Sequence, residues 1–147
     1  MNAKEIITEL GNAPHTSAVT YADPEHMEIV STDLGLAVHL TVNSFKNVEI
    51  EFTVNGKRSI VPNENPYAIL STVKSILSNE LIKFIQNYQK AERRRIYVVQ
   101  FFAVEPSRAK LYDRCVPIIS KILGPDWNFK SNYQLDKSKQ YRWENFS

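Results

Sequence analysis

The stretch that decides the fold is residues 96–124, which read IYVVQFFAVEPSRAKLYDRCVPIISKILG. Its first nine residues are apolar or aromatic except for Gln100, and such a run without alternation is typical of a central strand covered on both faces. Pro106 follows, and proline is favoured in the first turn of a helix. The stretch therefore predicts a buried strand and then a helix, with a dense polar cluster where the strand ends. Open α/β sheets bind their ligands in such places.

The predicted helix after Pro106 has an apolar stripe that includes Leu111 and Cys115. Pro117 lies inside this helix, and because proline has no N–H to donate, we expect it to kink the helix or divide it in two. Gly124 and Pro125 end the helix.

Upstream of this stretch, the pattern changes to strict alternation. Residues 36–42 and 48–54 each place every second side chain in an apolar set, which predicts two strands with one solvated face. Asn55-Gly56 then predicts a hairpin turn, because both positions of that turn need positive φ. The returning strand is expected at 57–61, and two further strands are predicted at 17–21 and 26–31.

The remaining segments complete the layout. Apolar residues at spacings of three and four predict a long helix over residues 66–90, and a short helix is expected at 3–11. The tail predicts two strands, 126–134 and 139–146. The expected fold is therefore a single α+β domain over residues 1–147, with a mostly antiparallel sheet and helices on both faces. Its order is helix, β-meander, helix, strand, helix and β-hairpin.

Composition excludes several classes of protein. The formal net charge is +2, but residues 1–75 carry 5 Lys/Arg against 9 Asp/Glu, whereas residues 76–147 carry 13 against 7. The single cysteine excludes a disulfide framework within the chain, and three histidines without ligand spacing predict no metal site. No apolar run resembles a signal peptide or a membrane span, so we expect no membrane partner. We also expect no cofactor.

The helix that follows the buried strand supplies the first set of candidate binding residues. Ser107 could cap the helix or bind an anion, and Arg108 and Tyr112 share a face one turn apart. The alternative is structural, with the ring of Tyr112 in the core and the arginines in ion pairs. The full set is Ser107, Arg108, Lys110, Tyr112 and Arg114.

Two other sets point to macromolecular partners. A basic patch comprises Lys90, Arg93, Arg94 and Arg95, and basic residues interleaved with aromatics in the tail make nucleic-acid binding one alternative. Aromatic residues that could instead anchor a protein interface are Trp127, Phe129, Tyr141 and Trp143. We favour the protein interface, because the net charge is nearly balanced and an acidic first half repels a polyanion.

The layout resembles the Gcn5-related N-acetyltransferase fold, and Leu111-Tyr112 resembles the Leu-Tyr pair that the last helix of that superfamily often carries. The resemblance implies that Tyr112 could act as a general acid toward a departing thiolate. The family binds the pyrophosphate of its cofactor with a Gly-rich loop. The matching residues here, 61–66, contain no glycine, two prolines and Glu64, which argues against coenzyme A binding because backbone N–H donors bind phosphate.

Residues 45–124 also resemble a family of small, uncharacterised tailed-bacteriophage proteins. The similar segments are Leu70-Ser71-Thr72-Val73, residues 98–103 and the Ser-Arg-x-Lys-Leu-Tyr-x-Arg motif at 107–114. This resemblance implies a phage origin and a location in the host cytoplasm or the virion. The resulting expectation is a non-enzymatic virion component or accessory factor that contacts a phage or host protein and could self-associate. An acetyltransferase and a nucleic-acid-binding protein are the alternatives.

Overall fold

The structure, a computed structural model, describes residues 13–56, 66–103 and 106–147, with side chains for all of these except Pro66 and residues 106–110. The chain forms a seven-stranded sheet and two long helices, an α+β fold. The strands are β1 (Ala18–Asp23), β2 (His26–Ser31), β3 (Leu36–Val42), β4 (Val48–Val54), β5 (Val98–Ala103), β6 (Asn128–Tyr133) and β7 (Lys139–Glu144). The helices are α1 (Pro66–Glu92) and α2 (Pro106–Leu123).

The sheet has the order β1-β2-β3-β4-β5-β7-β6, and every neighbouring pair is antiparallel except β4 and β5. Alternation determines the register of β3 and β4: Val38 lies opposite Phe52 and Leu40 opposite Ile50, and all four are buried. A shift by one residue would expose this apolar set, so the register is strongly specified. The turn at Asn55-Gly56 has positive φ at both residues, as predicted. The strand expected at 57–61 lies outside the described residues.

Both described helices lie on the same face of the sheet. Helix α1 packs on β2 and β3, α2 packs on β5 and β7, and the two helices pack on each other. The core between helices and sheet includes Leu81 and Phe84 of α1 and Ile119 of α2. The prediction of helices on both faces is therefore not confirmed for the described chain, and the short helix expected at 3–11 lies outside it.

Helix α2 continues through Pro117 as one element from Pro106 to Leu123, so the expected division into two helices is wrong. Proline in a helix removes one backbone hydrogen bond. The stripe that includes Leu111, Cys115 and Ile119 is buried against the sheet and α1, and this packing holds the helix together across the missing bond.

Strand β5 is an interior strand between β4 and β7, as predicted from its apolar run. Val99, Phe101 and Ala103 face the helices and are buried. On the opposite face, Gln100 is also buried, but Phe102 is only half-buried. The expectation that both faces are fully covered therefore fails at Phe102, because no described helix lies on that side.

Candidate functional site

The most distinctive feature of the sheet is the short contact between its two parallel strands. β4 and β5 pair only through Val48 with Val99 and Glu49 with Gln100. Beyond these two pairs the strands separate, and a cavity of about 180 Å3 opens between them, which we call the slot. Ligands in sheets with parallel strands bind beyond the carboxyl ends of the strands, where the chain connections diverge.

Main-chain groups point into the slot. The N–H of Asn55 donates to the carbonyl of Gly35 at 2.8 Å, so Asn55 and alternate residues before it face β3. Phe52 and Val54 therefore direct their N–H and C=O groups toward β5. Likewise, the N–H of Asn145 donates to the carbonyl of Tyr97, so Tyr97 and alternate residues after it direct their main-chain groups toward β7. Phe102 is out of step with this set and therefore directs its main-chain groups toward β4. No strand of the described chain pairs with these groups, so the slot offers hydrogen-bonding capacity to a ligand or to water.

The slot connects the two faces of the sheet. Tyr112 and Phe101 line it from the helical side, and Glu49, Glu51 and His39 line it from the open side. The remaining lining residues are Thr41, Ile50 and Phe102.

Among the predicted binding residues whose side chains the structure describes, Tyr112 lies in the slot and Arg114 does not. The Tyr112 side chain is 2% exposed, and its ring packs 4.7 Å from the rings of Phe52 and Phe101. Both contacts come from the strands that border the slot. The predicted alternative that the ring of Tyr112 packs in the core is therefore correct. Tyr112 also lines the cavity.

Asp113, the next residue, ties this part of α2 to β7. Its carboxylate accepts a hydrogen bond from the hydroxyl of Tyr141 and lies 3.1 Å from Nζ of Lys139. Partial burial works to raise the pKa of Asp113, but the hydrogen bonds from Tyr141 and Lys139 prevail and lower it. Burial and the hydrogen bond to Asp113 raise the pKa of Tyr141, so the phenol stays protonated.

On the open face, Glu49 lies where the two strands separate. One of its carboxylate oxygens accepts from Asn43 at 2.9 Å and from Gln100 at 3.1 Å. Gln100 in turn accepts from Gln140 of β7 at 3.0 Å. This row of amides fixes one oxygen of Glu49, and no described residue bonds the other, which is available at the slot.

Two histidines lie beside the slot on the same face. Nε2 of His26 lies 3.3 Å from Nδ1 of His39, and Nε2 of His39 lies 3.4 Å from the carboxylate of Glu28. The second oxygen of Glu28 accepts from Thr20 at 2.6 Å. Both ring nitrogens of His39 thus lie near polar partners, Nδ1 near His26 and Nε2 near Glu28. His39 therefore lines the slot, and neither of its nitrogens is left to accept a proton from a ligand.

The other predicted binding residues do not join this site. The side chains of Ser107, Arg108 and Lys110 lie outside the described residues. Arg114 is exposed and lies over the ring of Tyr67, 5.7 Å from its centroid, which links α2 to α1.

The basic patch is divided. Arg95 donates to the carbonyl of Ser147 at 2.8 Å and to the side chain of Asn145 at 3.0 Å, so it holds the C-terminal residues. Lys90, Arg93 and Arg94 are exposed at the end of α1.

The predicted aromatic interface is wrong for two of its four residues. Tyr141 and Trp143 are 1% and 0% exposed, because β7 lies inside the sheet between β5 and β6. Phe129 on the edge strand is 39% exposed, and Trp127 is half-buried against the core. Sequence position suggested a terminal, exposed hairpin and could not reveal that its second strand is interior.

The carboxylates at the slot were missed as candidates. Alternation places Glu49 and Glu51 on the solvated face, but nothing in the local pattern indicates that β4 and β5 are neighbours. Among the described residues no group of His, Cys, Asp and Glu could hold a metal ion, and no described helix has the length and apolar character to cross a membrane. Burial raises the pKa of the Cys115 thiol to about 12, which makes it a poor nucleophile.

Comparison with known proteins adds no relative: no family model, curated protein or solved structure matches this chain.

Proposed function

We propose that this chain is an N-acetyltransferase of the Gcn5-related kind, which transfers an acetyl group to an amine held in the slot. The observation that supports this proposal is the position of Tyr112, a buried hydroxyl-bearing residue on the wall of a cavity between two diverging parallel strands. In the family that the layout resembles, a tyrosine of the last helix can act as proton donor, and the position of Tyr112 at the slot supports the proposal.

The described residues of the slot fit acyl transfer. Acetyl-coenzyme A, when bound, would supply an acetyl group activated as a thioester. The free oxygen of Glu49 would accept a proton from the amine, whose nitrogen forms a bond to the acetyl carbon as the carbon–sulfur bond breaks. Tyr112 would donate its phenolic proton to the departing sulfur. A positioned acid or base typically contributes about 100-fold or more to a rate.

The donor should be held mainly by its thioester end. Residues 61–66, which would have to hold the pyrophosphate, contain no glycine, and residues 61–65 lie outside the described residues. Because backbone N–H donors bind phosphate, we expect a truncated acetyl thioester without the nucleotide to bind within about threefold of acetyl-coenzyme A. Calorimetry with both donors measures this. Millimolar acetyl-coenzyme A without detectable heat would refute the proposal.

The test of the catalytic role is Tyr112→Phe, which removes the hydroxyl and keeps the ring packing. We expect turnover of a primary amine to fall about 100-fold while donor affinity is retained. The matched control is Tyr88→Phe, because Tyr88 is equally buried but lies on α1. Equal turnover for the wild-type chain and Tyr112→Phe would remove Tyr112 from the mechanism.

The second candidate is a non-enzymatic bacteriophage protein, a virion component or accessory factor that acts through protein contacts. The observation that favours it is the tip of the β6–β7 hairpin, where Tyr133 is 75% exposed and Leu135 is fully exposed. Adjacent exposed apolar side chains of this kind are typical of interaction sites.

A further inference from the structure

The open face of the sheet carries a trough that is longer than the slot. A cleft of about 640 Å3 adjoins the slot on the β7 side and shares Glu49 and Phe102 with it; we call it the Phe45 cleft. A second cleft of about 600 Å3, the Asp23 cleft, adjoins the slot on the β2 side and shares Thr41. The three hollows adjoin through these shared lining residues, and we call them together the trough.

The length of the trough suits an extended chain. It reaches from Arg142 on β7 to His26 on β2, across β5, β4 and β3. Four spacings between neighbouring strands amount to about 20 Å, and an extended peptide covers that distance with about six residues. A small amine would fill the slot and leave both clefts empty.

The charge of the trough is negative. Carboxylates line it in the Asp23 cleft (Asp23, Glu25 and Glu92) and in the slot (Glu49 and Glu51). The cationic side chain that lines it, Arg142, donates from Nε to Glu144 at 2.7 Å and is thereby partly neutralised. Asp23 stays ionised, because hydrogen bonds from Tyr21 and the main chain lower its pKa.

Apolar side chains border both clefts. Phe45, in the β3–β4 turn, is 83% exposed beside the Phe45 cleft, and Pro24, in the β1–β2 turn, lines the Asp23 cleft. Of the described helices only the last residue of α1, Glu92, reaches the trough, since both helices pack on the opposite side of the sheet.

We propose that the trough binds an extended, basic segment of another protein, with its lysine or arginine side chains on the carboxylates of the slot and the Asp23 cleft. The carboxylates and the extended shape of the trough together favour this occupant, and a polyanion would be repelled. The inference does not depend on catalysis. If the chain is also an acetyltransferase, a lysine of this segment would reach Glu49 in the slot.

Fluorescence anisotropy of labelled eight-residue peptides tests the proposal on the full chain. We expect an alternating Lys-Ser peptide to bind, the matching Glu-Ser peptide not to bind, and affinity to fall as salt rises. Since the chain has a net charge of +2, its net charge cannot attract the basic peptide. Equal binding of the two peptides, or no binding of the basic one at millimolar concentration, would overturn the proposal.

Variants locate the site. Glu49→Gln with Glu51→Gln should weaken binding of the Lys-Ser peptide about tenfold, and the exposed Phe45→Ser should weaken it without risk to the core. The charge-matched control is Glu80→Gln with Asp126→Asn, since Glu80 lies on α1 and neither residue lines the trough. If the control weakens binding as much as the double variant of the slot, the attraction is not specific to the trough and the proposal fails. Donor binding by calorimetry is independent of these outcomes.

Discussion

Asp113 connects the residue that could do chemistry to the interior of the sheet. It follows Tyr112 on α2, and its carboxylate binds the hydroxyl of Tyr141 and the ammonium of Lys139 on β7. Nζ of Lys139 also lies 4.9 Å from the centroid of the Tyr141 ring, so the same ammonium group makes a cation–π contact with Tyr141. These interactions hold the first turns of α2 against β7 and thereby hold Tyr112 at the slot.

The pKa of Asp113 gives a pH prediction. Because this pKa is lowered in the folded chain, the contact stabilises the fold above the unfolded pKa of about 3.9, and the contribution is lost as pH falls through the folded value. Asp113→Asn should therefore lower the free energy of unfolding near neutral pH by about 1 kcal/mol, since the carboxylate is half-exposed. Below the folded pKa it should have little effect.

Urea unfolding of both proteins between pH 2 and pH 7 measures this difference. Asp126→Asn, at an exposed turn, is the control and should leave the pH profile unchanged. A constant difference between Asp113→Asn and the wild-type chain at every pH would show that charge does not contribute.

Strand β5 has two unlike faces, although its sequence is apolar on both except for Gln100. Phe101 is 2% exposed between the rings of Tyr112 and Tyr141, whereas Phe102 borders the open slot and the Phe45 cleft. The difference comes from the position of α1 and α2, the two long helices of the described residues, which both lie on the Phe101 side.

Alanine substitutions should separate the two faces. Phe101→Ala should lower the free energy of unfolding by about 3–5 kcal/mol, because it leaves a cavity in the core. Phe102→Ala should cost about 1–2 kcal/mol, because a half-buried ring loses less apolar contact. Urea denaturation measures both. Equal losses would mean that the open face is covered in solution.

At the scale of the whole molecule, the two charged surfaces to compare are the trough and the outer surfaces of the helices. The trough is acidic, and the exposed surfaces of the helices carry lysines and arginines such as Lys74, Lys83 and Arg114. For nucleic acid, the third predicted partner, the exposed residues of the predicted basic patch are Lys90, Arg93 and Arg94 at the end of α1. The exposed apolar tip of the β6–β7 hairpin belongs to neither charged surface.

This separation allows the protein and nucleic-acid partners to be told apart. If the hairpin tip is a protein interface, Tyr133→Ser with Leu135→Ser should abolish capture of the partner from infected cells, and capture should tolerate salt because the contact is apolar. Val19→Ser, another exposed apolar position, should leave capture intact. Mass spectrometry of the captured proteins provides the readout. If instead moderate salt abolishes capture and the double variant still captures the partner, the basic residues are the contact and the partner is a polyanion.

Local patterns determined much of the secondary structure. Strict alternation predicted β3 and β4 within a residue of their ends, Asn55-Gly56 predicted the positive-φ turn, and the apolar run with Pro106 predicted β5 followed by α2. These elements follow from periodicity and backbone preference, which act between residues close in the chain.

Only the tertiary structure decided which elements are neighbours. The sequence contains no local indication that β7 lies inside the sheet, which buries Tyr141 and Trp143, or that both described helices share one face. The slot exists because β4 and β5 meet in parallel for two residue pairs and then separate, although 43 residues of chain, 55–97, lie between the two strands. Tyr112 could be singled out from its motif, but Glu49 joined it only through this long-range contact, whose free energy comes from packing α1 and α2 on the sheet.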